Sequence, residues 1–216
     1  MVNLLKKDIM ACFKMDFKMI FKLIIGIIIF STILMPLAPI AIPLFISYIF
    51  IIRSFQLEEL NKCDYFFNSM PIDKEDIVYS KYILSTIIII ISLIFSYLFS
   101  FVIEGIWNVN LLTIEFILNI LSILLILSSI TLPIMFKYGY NKSYVFVNLI
   151  TGVTVVIVLI LSLQPKAIGI IHSSDGGPEV LYNNLKLFIF TGVCILIYLA
   201  SMYMSTKIYT KKEIAN

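Results

Sequence analysis

Long apolar runs separated by short polar stretches make up most of the chain from residue 23 to residue 207. A membrane-spanning helix needs about 20 consecutive apolar residues. The runs therefore predict an all-α membrane protein with a six-span transmembrane domain at 23–207 and a cytoplasmic tail at 208–216. The expected spans are Leu23–Leu37, Ala38–Ile52, Tyr82–Ile103, Leu111–Phe136, Tyr144–Leu163 and Leu187–Thr206.

The first two spans are the hardest to separate from each other. Leu23 to Ile52 is thirty uncharged residues long and contains Pro36, Pro39 and Pro43. Proline removes a backbone hydrogen-bond donor and breaks or kinks a helix. We favour two short helices that meet in a turn, and one long kinked span is the alternative.

Residues 1–22, which precede the first span, have an amphipathic pattern. At about 100° per residue, apolar side chains fall on one face and lysines on the other. The apolar set is Leu5, Ile9, Phe13, Phe17 and Ile20, and the basic set is Lys7, Lys14, Lys18 and Lys22. Such a helix lies in the headgroup layer with its lysines toward anionic lipid. The segment predicts an N-terminal cytoplasmic helix that anchors the chain, or an elbow helix that braces a cytoplasmic partner.

The distribution of lysine and arginine predicts the orientation in the membrane. Six spans place both termini on one side, and fourteen of the sixteen basic residues then share that side. Only Lys166 and Lys186 lie opposite. Because cytoplasmic loops carry an excess of basic residues, both termini are predicted to be cytoplasmic. The net charge of +3 is explained by topology and requires no nucleic-acid partner. Residues expected at the membrane interface are Lys14, Lys18, Lys22, Lys81, Tyr82 and Trp107.

Composition and motifs narrow the possible chemistry. Hydrophobic residues make up 61% of the chain and charged residues 13%, which is outside the usual range for soluble domains. No G-x-x-x-x-G-K-[ST] sequence is present, so nucleotide phosphates cannot be held by that loop. His172 is the only histidine, which excludes two-histidine metal motifs. We predict that the chain is not an enzyme and binds no metal or cofactor itself.

The expected span centres contain few groups that could carry out chemistry. They are nearly free of ionisable residues, which argues against an ion-coupled carrier. A membrane-embedded enzyme would need polar residues that converge within the spans, and none are predicted to. The carboxylate pairs Glu58-Glu59 and Glu75-Asp76 are expected to be exposed to water. The roles of Glu104 and Glu115 stay open.

One polar segment, residues 53–81, stands out between the apolar runs, because it holds ten of the charged residues. Phe55–Leu60 is predicted to extend the second span as a helix, and Asp64–Phe67 is an aromatic stretch that needs a surface to cover it. Pro71 can open a further helix, with Asp73, Glu75 and Asp76 in a first turn where they complement the helix dipole. The alternative is a solvated loop.

The run from Phe67 to Tyr82 resembles the cytoplasmic signature of ABC-2 type transporter permeases, and the likeness covers essentially the whole chain. The matching positions are Met70, Pro71, Ile72, Lys74, Ile77, Val78, Lys81 and Tyr82, with Lys74 where arginine is common. The resemblance implies a subunit that dimerises, as a homodimer or a heterodimer, and binds separate cytoplasmic ABC ATPase subunits, which supply ATP and Mg. It also implies a bacterial cell membrane location and a coupling helix between spans two and three.

From this resemblance we expect a permease subunit of an ATP-driven exporter of amphipathic or antimicrobial peptides, or of hydrophobic compounds. The hypothesis places ATPase docking on the polar segment 53–81. The predicted docking residues are Leu57, Leu60, Tyr65, Phe66, Phe67, Met70, Pro71 and Ile72, with Glu58, Glu59, Asp64 and Asp73 as charged partners. The alternative is a non-transporting interaction protein, such as an immunity or sensor subunit.

Overall fold

The computed structural model of the protein describes residues 7, 10, 38–61, 73–107, 114–162 and 178–211. Within these residues the regular structure is entirely helical, as predicted. The helices are α1 (Ala38–Leu60), α2 (Lys74–Trp107), α3 (Ile114–Tyr138), α4 (Tyr140–Ser162) and α5 (Pro178–Lys211).

Three helical stretches among the described residues are long and apolar enough to cross a membrane. They are Lys74–Phe101, Ile117–Tyr138 and Leu185–Lys211, and they lie within α2, α3 and α5. The chain is therefore a membrane protein. That it has six spans in total stays a prediction. The expected span Leu23–Leu37 and the tail from 212 onward lie outside the described residues, as does the N-terminal helix apart from Lys7 and Met10.

The two helices that flank the polar segment 53–81 both extend into it. α1 continues to Leu60, which confirms the predicted extension over Phe55–Leu60. α2 begins at Lys74 with Glu75 and Asp76 in its first turn, as predicted, whereas Asp73 comes just before that turn. The backbone oxygen of Asp73 accepts a hydrogen bond from the Asp76 nitrogen at 3.0 Å. Residues 62–72, including the aromatic stretch, lie outside the described part.

The prolines act differently in α1 and α5. α1 begins at Ala38, where the second span was expected, and carries Pro43 in its interior. The choice between two short helices and one kinked span stays open, because residues 23–37 are not described. α5 begins at Pro178, nine residues before Leu187, where the last span was expected to begin. Proline suits the first position of a helix, where its missing N–H would have had no partner.

All five helices meet at one end of the bundle. Because the helices alternate in direction, α1, α3 and α5 finish where α2 and α4 begin, and this end is here called the inner end. The Phe136 ring near the end of α3 lies 5.2 Å from the Phe55 ring of α1 and 5.5 Å from the Tyr209 ring of α5. α3 touches each of the other four helices, so its buried face, with Leu124 and Met135, forms the centre of the core.

A seam of hydroxyl groups joins α2, α3 and α5. The Tyr82 hydroxyl lies 2.8 Å from both Ser201 Oγ and Ser205 Oγ. The Tyr198 hydroxyl donates to the backbone oxygen of Tyr82 at 2.9 Å and also bonds Ser85. Ser201 in turn donates to a backbone oxygen of α3, at 2.6 Å. Serine lets helices approach closely, and its hydroxyl bonds across them.

The seam corrects one prediction. The sequence analysis expected no polar residues to converge within the spans, and this expectation is wrong. The convergence is hidden in the sequence because the partners lie on separate helices, more than 100 residues apart for Tyr82 and Ser201. Its hydroxyls bond one another and the helix backbones, so the seam stabilises packing.

Removing one hydroxyl from the seam should weaken the bundle measurably. We expect Tyr198→Phe to lower the free energy of unfolding by about 1 kcal/mol, because it deletes hydrogen bonds between α5 and α2 while keeping the ring. Unfolding can be followed by circular dichroism during titration of mixed micelles with sodium dodecyl sulfate. Tyr203→Phe, on the exposed face of the same helix, is the matched control. Equal effects of the two substitutions would contradict a stabilising role for the seam.

Candidate functional site at the inner end

The strongest electrostatic feature of the inner end is an ion pair between α1 and α2. Lys81 Nζ lies 2.9 Å from Glu58 Oε1. The same ammonium donates to the backbone oxygen of Ser54 at 3.4 Å and to its Oγ at 3.2 Å, and it sits 5.2 Å from the centre of the Phe55 ring. A buried charge is tolerated when it is paired and hydrogen-bonded, and Lys81, only 1% exposed, meets both conditions.

The burial of Lys81 and Tyr82 differs from the expectation for membrane-interface residues. Both side chains are enclosed between helices, whereas their assignment to the membrane interface stays a prediction. The physical reason for the enclosure is that each has a better partner inside the bundle: a carboxylate for the ammonium and two serines for the phenol. The depth of these residues in the membrane stays a prediction.

Glu58 serves two lysines at once. Besides Lys81, its Oε1 lies 3.1 Å from Lys7 Nζ, with side-chain exposures of 17% for Glu58 and 38% for Lys7. The expectation that Glu58 is exposed to water is therefore wrong, because the two ammonium groups cover its carboxylate. The contact also places Lys7 of the N-terminal segment at the inner end, beside the end of α1.

Glu59, the next residue, is exposed as expected and faces α4. Its carboxylate accepts hydrogen bonds from the backbone nitrogen of Asn141 at 3.0 Å and from Asn141 Nδ2 at 2.6 Å. The turn that presents Asn141 depends on Gly139, which has a φ of 75°, a backbone conformation that glycine adopts without strain. Sequence reasoning missed this contact, although a glycine between two apolar runs is a typical signal for a helix end.

A cavity of about 190 Å³ lies between these groups. Glu58, Glu59, Tyr138, Tyr140 and Tyr209 contribute to its wall. Partial burial, reinforced by the neighbouring Tyr144 and by Glu59, raises the pKa of Tyr140 above its ordinary value. Tyr140 therefore stays a neutral hydroxyl near neutral pH. Aromatic rings and two carboxylates line part of the cavity. No cluster of His, Cys, Asp and Glu suited to a metal ion occurs in the described part of the chain.

The structure describes five of the twelve predicted docking residues. Glu58, Glu59 and the partly buried Leu57 end α1, Leu60 is 69% exposed, and Asp73 is exposed just before α2. Asp64, Tyr65, Phe66, Phe67, Met70, Pro71 and Ile72 lie outside the described residues. Of the expected interface residues, Trp107 ends α2, and Lys14, Lys18 and Lys22 are not described. The docking role of all these residues stays a prediction.

Breaking the ion pair from the lysine side should destabilise the protein strongly. Removing one partner of a buried pair typically costs about 3–5 kcal/mol, and Lys81→Met should fall near the lower limit, because Lys7 still compensates Glu58. The loss can be measured as a decrease in thermal midpoint in detergent. Lys142→Met, at an exposed position, is the control.

A second variant separates the charge from the shape of the side chain. Adding Glu58→Leu to Lys81→Met removes the uncompensated carboxylate and should recover most of the lost stability. If the double variant is no more stable than Lys81→Met alone, the ion pair is not what the single substitution disrupted.

Of three comparisons with known proteins, one gave a match. No curated protein sequence and no solved structure matches the chain. A family model described as ABC-2 family transporter protein matches residues 3–210, and this range includes every helix of the bundle apart from the last residue of α5. The chain therefore belongs to the ABC-2 family of transporter proteins.

Proposed function

We propose that this chain is the transmembrane permease subunit of an ATP-driven ABC exporter and forms its translocation path. Membrane proteins of this family are generally non-enzymatic subunits that pair with ABC ATPase subunits. The proposal includes six spans, an interfacial N-terminal helix, a coupling helix between spans two and three, and a second permease copy. ATP and Mg bind to the partner ATPase, and the inner end faces the cytoplasm of a bacterial cell. Amphipathic peptides or hydrophobic compounds are the proposed substrates.

The observation that carries the proposal is the Glu58–Lys81 ion pair, which joins α1 and α2 close to the segment that connects them. Residues 61–73 connect α1 to α2, and the Glu58–Lys81 pair holds those two helices together just inside the connection. Separating the pair would leave a buried ammonium without its counter-ion, at a cost of several kcal/mol. A force applied to the connecting segment is thus expected to move α1 and α2 together.

Contacts at the same end of the bundle connect α1 to the other helices. Glu59 is hydrogen-bonded to Asn141 at the start of α4. Phe55, next to the ion pair, packs edge-on against Phe136 of α3, which in turn contacts Tyr209 of α5. A displacement of α1 at the inner end can therefore be transmitted to α3 and α4 through direct contacts, and to α5 through Phe136.

The exposed residues of α1 suit a protein partner. Leu60, at the tip of α1, is a large apolar side chain that remains 69% exposed, although the proposed topology places it in water. An exposed apolar residue beside an aromatic stretch is typical of a protein-binding surface. We expect Phe66 and Phe67 to extend this surface and to form its anchor against the ATPase.

The first test is to purify the full chain with a C-terminal tag and identify the proteins that accompany it. We expect a Walker-motif ATPase in roughly equal amount, because family permeases function with such a subunit. Reproducible absence of an ATPase, with the chain intact and monodisperse, would contradict the proposal and favour the non-transporting interaction subunit.

The second test concerns coupling in the reconstituted complex. Phe66→Ala with Phe67→Ala should reduce permease-dependent ATP hydrolysis at least tenfold at limiting ATPase, since aromatic anchors often contribute more than 2 kcal/mol of binding energy.

Glu59→Gln should also reduce this ATP hydrolysis, because the substitution weakens the exposed hydrogen bonds to Asn141. Glu75→Gln, the same chemical change at an exposed position in the first turn of α2, should leave hydrolysis near the unmodified level. Unchanged hydrolysis in the double alanine variant would refute the docking assignment.

A further inference from the structure

α3, the central helix of the bundle, contains a proline in its interior. Pro133 lies five residues before the end of the helix at Tyr138. Proline has no backbone N–H, and its ring crowds the carbonyl of the residue four positions earlier. In α3 that residue is Ser129, so its carbonyl oxygen loses the hydrogen bond that an uninterrupted helix would supply. An unpaired backbone oxygen is costly in hydrocarbon, so this oxygen requires another donor.

The other donor comes from α5. Ser201 Oγ donates a hydrogen bond to the backbone oxygen of Ser129 at 2.6 Å, and both side chains are buried. A neighbouring helix that bonds the freed carbonyl is one of the ways in which a proline is tolerated within a membrane span. The interruption in α3 is therefore compensated by one hydroxyl group of α5.

The direction of the adjoining hydrogen bonds follows from this one. A serine hydroxyl has one hydrogen to donate, and Ser201 gives it to the Ser129 carbonyl. The Tyr82 hydroxyl, 2.8 Å from Ser201 Oγ, therefore donates to Ser201, and Ser205 Oγ donates to Tyr82 at 2.8 Å. Hydrogen bonds that run in one direction strengthen one another. Tyr82 of α2 thus supports the bond by which α5 compensates the interruption in α3.

The turn that precedes Pro133 favours a bend at the same place. The hydroxyls of Ser128 and Ser129 donate to backbone oxygens three or four residues earlier in α3, at 2.7–3.0 Å, and Thr131 makes a longer bond of this kind at 3.4 Å. Serine and threonine that bond back in this way often bend a helix, and sharp kinks occur mostly at proline and at pairs of small residues. The sequence from Ser128 to Pro133 therefore combines several features that weaken a helix.

The residues of α3 that follow Pro133, 134–138, are here called the inner arm. The inner arm is roughly 8 Å long and is followed by Gly139, whose φ of 75° ends the helix. Its Phe136 ring contacts the rings of Phe55 in α1, Tyr82 in α2 and Tyr209 in α5. The inner arm is therefore flanked by two interruptions and is attached to the inner ends of three other helices.

We propose that α3 has a hinge at Pro133 and that Ser201 of α5 keeps this hinge closed. While Ser201 bonds the Ser129 carbonyl, the inner arm and the rest of α3 move as one body. When α5 withdraws Ser201, the inner arm turns about Pro133 together with the inner ends of α1 and α2. The cost of leaving the carbonyl unpaired keeps the hinge closed at rest. The hinge depends on α3 and α5 alone and holds whether or not the chain is an exporter.

The test measures distances between pairs of spin labels by double electron–electron resonance, on the full chain in nanodiscs. The three native cysteines are replaced by alanine, and labels are attached at exposed positions. One pair, Tyr138→Cys with Leu98→Cys, joins the inner arm to the outer part of α2. The reference pair, Ile130→Cys with Leu98→Cys, joins α2 to the part of α3 that precedes the hinge. A hinge movement changes the first distance and leaves the second unchanged.

Ser201→Ala removes the donor that keeps the hinge closed. We expect it to broaden the distance distribution of the Tyr138–Leu98 pair about twofold, because the loss of one buried hydrogen bond shifts a conformational equilibrium severalfold. The Ile130–Leu98 distribution should not change. Ser205→Ala is the matched control, since it removes a hydroxyl from the same helix and the same seam without removing the donor to Ser129.

Pro133→Ala provides the second arm of the test. It restores the backbone N–H that bonds the Ser129 carbonyl within α3, so it should narrow the Tyr138–Leu98 distribution even when no other residue is changed. In the Pro133→Ala background, Ser201→Ala should no longer broaden this distribution. A hydroxyl that only stabilises packing would have the same effect in both backgrounds.

Three outcomes would overturn the proposal. The first is a Tyr138–Leu98 distribution that keeps its width in both Ser201→Ala and Pro133→Ala. The second is equal broadening of the Tyr138–Leu98 and Ile130–Leu98 distributions, which would indicate general loosening of the bundle. The third is an effect of Ser201→Ala that is as large with alanine as with proline at position 133. If Ser201→Ala does not fold, the width measured in Pro133→Ala alone decides the question, and no narrowing there refutes the hinge.

Discussion

The buried ion pair between Glu58 and Lys81 is the interaction on which the arrangement of the inner end depends. Lys81 is enclosed almost completely, so its ammonium requires the carboxylate of α1 at close range. The next residue, Tyr82, faces α5 through its hydrogen bonds to Ser201 and Ser205, and its ring stacks over Phe136 of α3 at 6.5 Å. Two consecutive residues of α2 therefore bind it to three different helices, and this fixes where α1, α3 and α5 lie.

The elements of the fold could be predicted from the sequence because they depend on local properties. Apolar run length and flanking charges indicate helices, and both extensions into the polar segment 53–81 agree with the structure. The start of α5 was missed because Pro178 follows a glycine pair and is typical of a loop as well as of a first helical position. Local pattern alone does not decide between these two roles.

The environments of the site residues could not be predicted, because each is created by a distant partner. Glu58 and Lys81 are separated by 23 residues, Glu59 and Asn141 by 82, and no periodicity along the chain records such pairings. For the same reason Lys81 and Tyr82 were assigned to the membrane interface on residue type, although helix packing encloses both. The docking residues were chosen from clustering in the sequence, and their role stays a prediction. The structure shows that the Glu58–Lys81 ion pair joins the two helices that flank the undescribed residues of this segment.

The neighbouring residues Glu58 and Glu59 connect α1 to α2 and to α4, respectively, through contacts of very different strength. Glu58 is covered by two lysines, so the α1–α2 joint resists separation. Glu59 is exposed, where the hydrogen bonds that join it to Asn141 compete with water. Under a force at the inner end, we therefore expect α1 and α2 to move as one unit and the α1–α4 contact to yield first.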